Sequence, residues 1–193
     1  VVEAGTGLLF TIIFLRYGLS LESLVLALAV SLLLVVAIID LEHRLILNRL
    51  VLPALVAALV LAPFWSELEL ARPFLGSHSV LASLLNSLVA GAGAFLLFLC
   101  IFLLYPAGMG EGDVKLAGLL GLLVGFPGIV ITLWIAALSG GLAAAALLLL
   151  RKKGRKDFIP FAPFLILGAM VALLAGSEVV SWYQDLAAKM SGL

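Results

Sequence analysis

Two aspartates stand in polar islands of an otherwise apolar sequence, and carboxylates in such pairs can carry out acid-base chemistry. Asp113 lies in "GMGEGDVKL", Gly108 to Leu116, with three alternate glycines, a glutamate and a lysine around it. Asp40 lies in "IIDLEHRLILNRL", Ile38 to Leu50. Two carboxyl groups at one place can share a proton: the ionised member takes a proton from water while the protonated member donates to a carbonyl oxygen. That is general acid-base hydrolysis of a peptide bond, with neither metal nor covalent intermediate. Gly108, Gly110 and Gly112 lack a Cβ atom, so their backbone can adopt positive φ and an extended substrate strand can approach closely. Each aspartate also has a purely structural explanation. Asp113 can cap the apolar helix that follows it, and Asp40 can pair with Arg44 one turn on. Their joint occurrence favours chemistry, because ionisable groups in membrane segments are costly and tend to face a bundle interior.

Whether the two can meet depends on the elements that carry them. The chain has 193 residues, 65% hydrophobic and 11% charged, with a mean hydropathy of +1.32, whereas soluble domains are roughly a quarter charged. These values predict an all-α integral membrane protein, a single membrane-embedded domain over residues 1–193. Net charge is zero and no basic patch is interleaved with aromatics, which argues against a nucleic-acid partner. The one cysteine, Cys100, lies in an apolar run and reads as a packing residue, excluding an intrachain disulfide or thiolate metal cluster. The apolar runs predict about seven spans: Val2 to Leu15, Leu21 to Ile39, Leu50 to Trp65, Val80 to Leu104, Val114 to Gly125, Ile129 to Leu150 and Phe158 to Ala175. Val114 to Leu150 as one helix would reach ~55 Å, far beyond a hydrocarbon core of ~30 Å, so "GFPG", Gly125 to Gly128, is read as a tight turn between two spans. The first run is shorter than the ~20 residues of a full span, which suggests a fragment of a longer protein.

With this alternation one side holds Arg44, Arg49, Lys115, Arg151, Lys152, Lys153, Arg155 and Lys156, and the other holds Arg16, Arg72 and Lys189. The positive-inside rule puts the first set in the cytoplasm. "RKKGRKD" is read as a cytoplasmic anchor, with lipid as its neighbour. Asp40 ends the second span and Asp113 begins the fifth. Two complete spans separate them, so both reach the cytoplasmic face.

The islands carry a resemblance. "GMGEGDVKL" resembles the Gly-x-Gly-Asp-x-Lys-Leu signature of the type IV prepilin peptidases, intramembrane aspartyl proteases. "IIDLEHRLILNRL" is similar to that family's other catalytic segment, Ile-Asp-Leu-x-His followed by Ile-Pro-Asn, and "IPFAPFLILGAM", Ile159 to Met170, to its late Ile-Pro-Phe-Gly-Pro segment. Leu47 stands where the family often has proline, and Ala162 where it has glycine. The resemblance implies that Asp40 and Asp113 are the catalytic dyad, within motifs spanning 38–116. Gly110 and Gly112 would support them, and Glu42 and His43 would lie nearby. His43 reads as an interfacial hydrogen-bonding residue and not a metal ligand; His78 falls on the opposite face. Lys115 either orients an acidic group of the substrate or tunes Asp113, or is a snorkelling cation at the surface. Pro160 and Pro163 either start the last helix or shape a substrate groove.

The implied activity is an aspartic endopeptidase of the cytoplasmic (inner) membrane, with its site at the cytoplasmic face. It would remove the short basic leader, ending in glycine, from type IV prepilins or type II secretion pseudopilins. No cofactor is implied for proteolysis. Bacterial members carry a preceding region with two Cys-x-x-Cys pairs holding zinc, linked to methylation of the new N-terminus from S-adenosylmethionine. Those residues are not in this sequence, so zinc, S-adenosylmethionine and methylation are expected only of a longer parent chain. Two other classes compete. An ion or proton-coupled transporter would use the acids as a proton relay, near the midplane and in repeated halves. A noncatalytic assembly scaffold would have no need of the pair.

Overall fold

A computed structural model of the chain describes residues 2–65, 79–106, 109–150 and 160–191. Among these there is no strand; there are six helices and one short 3-10 turn, Ala62–Phe64. The helices are α1 (Val2–Tyr17), α2 (Leu21–His43), α3 (Asn48–Leu61), α4 (Val80–Leu104), α5 (Glu111–Leu149) and α6 (Ala162–Ser191). Gly108, Arg72, His78 and the basic run from Arg151 to Lys156 lie outside the described residues.

Local chemistry sets the helix ends. Gly18, with φ at +62°, stops α1, and Ser20 starts α2 through a reciprocal capping box with Ser23. At the other end of α2, Arg44 takes the left-handed conformation, and its N–H donates to the Asp40 carbonyl at 2.9 Å. Ser79 caps α4 by accepting from the Ala82 N–H. Helices α2, α4 and α5 are long and apolar enough to cross a membrane.

Helix α5 is two arms. Gly125 (φ +60°, ψ −171°) and Phe126 (φ −97°, ψ 138°) break the helical path, and only glycine reaches the first of these conformations without strain. The packing shows that the chain turns back there. In the first arm Gly118 lies against Phe95, Gly121 against Ala90 and Gly91, and Phe126 beside Asn86, so this arm runs antiparallel to α4. In the second arm Gly128 faces Ala172, Gly168 sits on Thr132 and Gly140 meets Phe161 and Phe164, so it runs antiparallel to α6. The stacked rings of Phe98 and Phe161, 6.2 Å apart, join α4 to the beginning of α6. The seven apolar runs of the sequence therefore correspond to α1 to α4, the two arms of α5 and the first part of α6. The last run was expected to finish at Ala175. The backbone does bend there (φ −137°, ψ 16°), but the helix resumes to Ser191.

The core is built around the first arm, 111–124. From Leu116 to Val124 every residue is buried, the pattern of a helix surrounded by protein on all sides. Lipid-facing helices behave otherwise: Leu28, Val89 and Leu103 are each more than 60% exposed. Close approach of α4 and the first arm rests on glycines. A Cβ on Gly121 would come within 2.5 Å of the Ala90 carbonyl oxygen, and one on Gly91 within 2.8 Å of Leu122, as expected where helices associate by backbone contact in a bilayer.

The turn itself needs partners, because irregular backbone at membrane depth is stable only when its polar groups are satisfied by protein. Asn86 supplies them. Its amide donates to the Phe126 carbonyl and its side-chain carbonyl accepts from the Phe126 N–H, both at 3.1 Å. Trp65 Nε1 donates to the Leu122 carbonyl at 3.1 Å, and Ser83 Oγ to the Ala62 carbonyl at 2.8 Å. At the same end of the bundle, Arg16 joins α1 to α6 through the Leu174 carbonyl and the Glu178 carboxylate.

Asn86→Ala is expected to leave both polar groups of Phe126 unsatisfied, at about 1–3 kcal/mol each, and to lower the midpoint of thermal unfolding in detergent. Gly121→Ala should do the same by clash. Gly141→Ala, where a Cβ would meet nothing within 4 Å, should be neutral or mildly stabilising through helix propensity.

Candidate functional site

The two polar islands meet at the end of the bundle opposite the Gly125 turn. Asp113 is the third residue of α5, with Gly110 as the N-cap, and its Oδ2 accepts from the Gly110 N–H at 3.2 Å. It is therefore the returning half of a capping box and not the cap itself, the role its position after Gly112 had suggested. An acid in a first helical turn is favoured by the helix dipole. Asp40 stands in the last turn of α2, where the dipole opposes an acid. It does not form the expected ion pair with Arg44, which contacts it only through the backbone. One of its carboxylate oxygens, Oδ2, is buried without a hydrogen-bond partner. Both aspartates are only 5% exposed. Structural carboxylates are normally exposed or paired, so this placement costs stability.

The connectors around them interlock. Ile46, in the segment between α2 and α3, packs on Gly112 so tightly that a Cβ there would stand 2.7 Å from the Ile46 Cβ. Lys115 Nζ donates to Asn48 Oδ1 and to Glu111 Oε1, each at 3.2 Å. The first residue of α3 is thereby tied to the second turn of α5. Lys115 thus has internal partners and is not a freely snorkelling cation. Positive φ was expected of the loop glycines. Among the described glycines only Gly18 and Gly125 adopt it; Gly110 has φ −82°, and Gly112 serves close approach instead.

Glu42 and His43 are not joined to the pair. Both side chains are about two-thirds exposed and face one another at 3.9 Å. Of the late motif, Phe161 stacks on Phe98 and Ala162 is fully buried, packing the start of α6 into the bundle. Sequence reasoning missed Ile46 and Asn48 as partners of Gly112 and Lys115. Both belong to the first island, but nothing in their types announces which residue of the second island they touch. It also missed Asn86, one amide in a long apolar run.

The described residues offer no fit for zinc. Cys100 is exposed on α4, and no three His, Cys, Asp or Glu side chains gather; a structural zinc site needs four ligands, commonly thiolates.

Residues 27–145 match the Type IV leader peptidase family, a stretch that includes both islands, the first arm of α5 and most of the second. A prepilin leader peptidase/N-methyltransferase of Bacillus subtilis (strain 168) is 30% identical over 188 residues, covering 96% of this chain and 69% of its own length. The protein of the same name from Pseudomonas putida is 32% identical over 183 residues, covering 92% of this chain and 59% of its own length. That from Legionella pneumophila is 29% identical over 173 residues, with 87% and 55% covered. The chain thus spans little more than half to about two thirds of the length of these relatives. No solved structure matches it. With the family match extending over more than half of the sequence and taking in both buried aspartates, the chain belongs to the Type IV leader peptidase family.

Proposed function

We propose that this chain is the peptidase portion of a prepilin leader peptidase and cleaves its substrate by aspartic acid-base chemistry at Asp40 and Asp113. The observation that carries the reading is the burial of both acids where α2 ends and α5 begins, one with an unpartnered carboxylate oxygen. In the mechanism, the ionised aspartate removes a proton from the attacking water and the protonated one donates to the peptide carbonyl. The roles then reverse as the leaving amine is protonated. The bond accepted from the Gly110 N–H leaves Asp113 oriented before substrate arrives. Gly112 lets Ile46 close over the loop, and Lys115 secures the two connectors against each other through Asn48.

The names of the relatives point to a prepilin leader as the substrate class; the resemblance of the motifs adds that the leader is basic, that an apolar helix follows it, and that pseudopilin precursors belong to the same class. Such a helix remains in the bilayer while the leader lies outside it, which places the scissile bond at the depth of the aspartates. Arg44, Arg49 and Lys115 belong to the aspartate end of the bundle and Arg16 to the other. That bias supports an inner-membrane orientation with the site at the cytoplasmic face. The transport reading draws no support from the relatives, which are peptidases by name. Its acids would lie near the midplane, whereas these lie at helix ends.

Asp40→Asn and Asp113→Asn should each reduce cleavage of a detergent-solubilised prepilin at least about a hundredfold, the lower range of what acid-base groups contribute, with little change in substrate binding. Mass measurement of the product should place the cut after the leader glycine. Near-normal turnover by either variant would sink the two-aspartate mechanism.

The wild-type rate should trace a bell against pH, with two macroscopic pKa values that belong to the pair and to neither residue alone. EDTA should leave it unchanged, since each proton transfer is assigned to a carboxyl group. A single-sided pH profile, or loss of activity with chelator, would count against the assignment.

A further inference from the structure

Below the aspartates the bundle has an opening. Helices α2 and α3 are joined by a short connector, but among the described residues they are not packing partners along their length. Between them runs an apolar groove of about 210 Å³. Ala29 and Leu32 of α2 form one wall, Ala54 and Ala57 of α3 the other, and Leu119 and Leu123 of the first arm of α5 the floor. Trp65 lines the groove too, held by its bond to the Leu122 carbonyl. On the α3 side the wall is mostly alanine, Ala54, Ala57 and Ala58, and on the α2 side Ala29 leaves a gap between Leu28 and Leu32, so the space opens where small side chains face each other.

Position along the bundle identifies the occupant. Leu32 is about eight residues from Asp40 on α2, and Leu119 about six from Asp113 on α5. At ~1.5 Å per residue the groove begins ~9–12 Å from the carboxyl groups, toward the middle of the bilayer. An apolar helix that continues from a bond held at Asp40 and Asp113 descends through this depth, alongside the floor formed by the same arm that carries Asp113. Apolar cavities of roughly 150 Å³ accept a benzene ring, so this volume suits one large side chain and not a whole helix. We infer that the groove between α2 and α3 is a specificity subsite that takes one bulky apolar side chain from the membrane helix of the substrate, about six to eleven residues beyond the cleaved bond. This rests on the peptidase reading above and adds to it a second point of recognition, remote from the leader.

The test compares two substrates with wild-type protein and with Ala29→Phe and Ala57→Phe, in which a ring fills the groove. One substrate is a full-length prepilin; the other is a peptide of the leader and the first few residues after the bond. The ratio of their kcat/KM values should fall at least tenfold in both variants, through KM for the full-length substrate, while cleavage of the short peptide confirms that each variant is folded. A second arm uses Ala57→Cys in a Cys100→Ala background with prepilins carrying single cysteines along the helix. Cross-linking should peak about nine to eleven residues past the bond, the depth of Ala57 below Asn48. An unchanged ratio, as for a groove that holds only lipid, or cross-linking of two copies of this chain in place of substrate, would overturn the subsite. Wild-type protein that cleaves neither substrate would instead overturn the peptidase reading.

Discussion

The arrangement depends on backbone contact between α4 and the first arm of α5. A bilayer gives helices no hydrophobic reason to associate, so they must gain by packing and by internal hydrogen bonds. Gly91, Gly118 and Gly121 bring the two backbones together, and the bonds of Asn86 to Phe126 fix the end of the contact. With that interface set, the first arm has one permitted rotation and height, and Asp113 with it. The second arm and α6 then pack as a unit through Gly128, Thr132 and Gly168.

The site shows how two segments distant in sequence are held in register with few polar contacts. Ile46 against Gly112 is a steric lock, and Lys115 to Asn48 a polar one. They act on the connector between α2 and α3, a few residues past Asp40, and not on the carboxyl groups. Among the described residues Asp40 Oδ2 therefore remains without a partner, and Asp113 is held only by the Gly110 N–H. An Asp40 fully satisfied by neighbours would be a better structural residue and a poorer proton carrier.

Part of this was legible in the sequence. Asp40 and Asp113 stood out because their islands interrupt apolar runs, and parity of spans brought them to one side. Gly125 to Gly128 read as a turn because one continuous helix would be too long for a bilayer. Other features carry no such contrast. The central position of the first arm was hidden because its apolar residues resemble those of every other span; burial by protein and burial by lipid select the same side chains. Asn86 was hidden for the opposite reason, a lone amide whose partner is backbone and so has no sequence identity. The extension of α6 beyond Ala175 was missed because hydropathy falls after Gly176, while helix formation continues on propensity that a search for apolar runs does not weigh.

The shortness of the first arm has a consequence for how the protein sits in different membranes. Residues 111–124 form a rod of only ~21 Å at ~1.5 Å per residue, well under the ~30 Å hydrocarbon thickness. A helix of that length facing lipid would tilt, or thin the bilayer around it. This one is enclosed by its neighbours from Leu116 to Val124, so the lipid does not meet that stretch. Hydrophobic matching falls to the lipid-facing surface of the outer helices, including those, such as α1, that the glycine contacts do not hold and that can adjust their tilt as thickness changes. The height of Asp113 is set by glycine contacts within the protein, which makes the inner helix a fixed mount inside an adjustable frame.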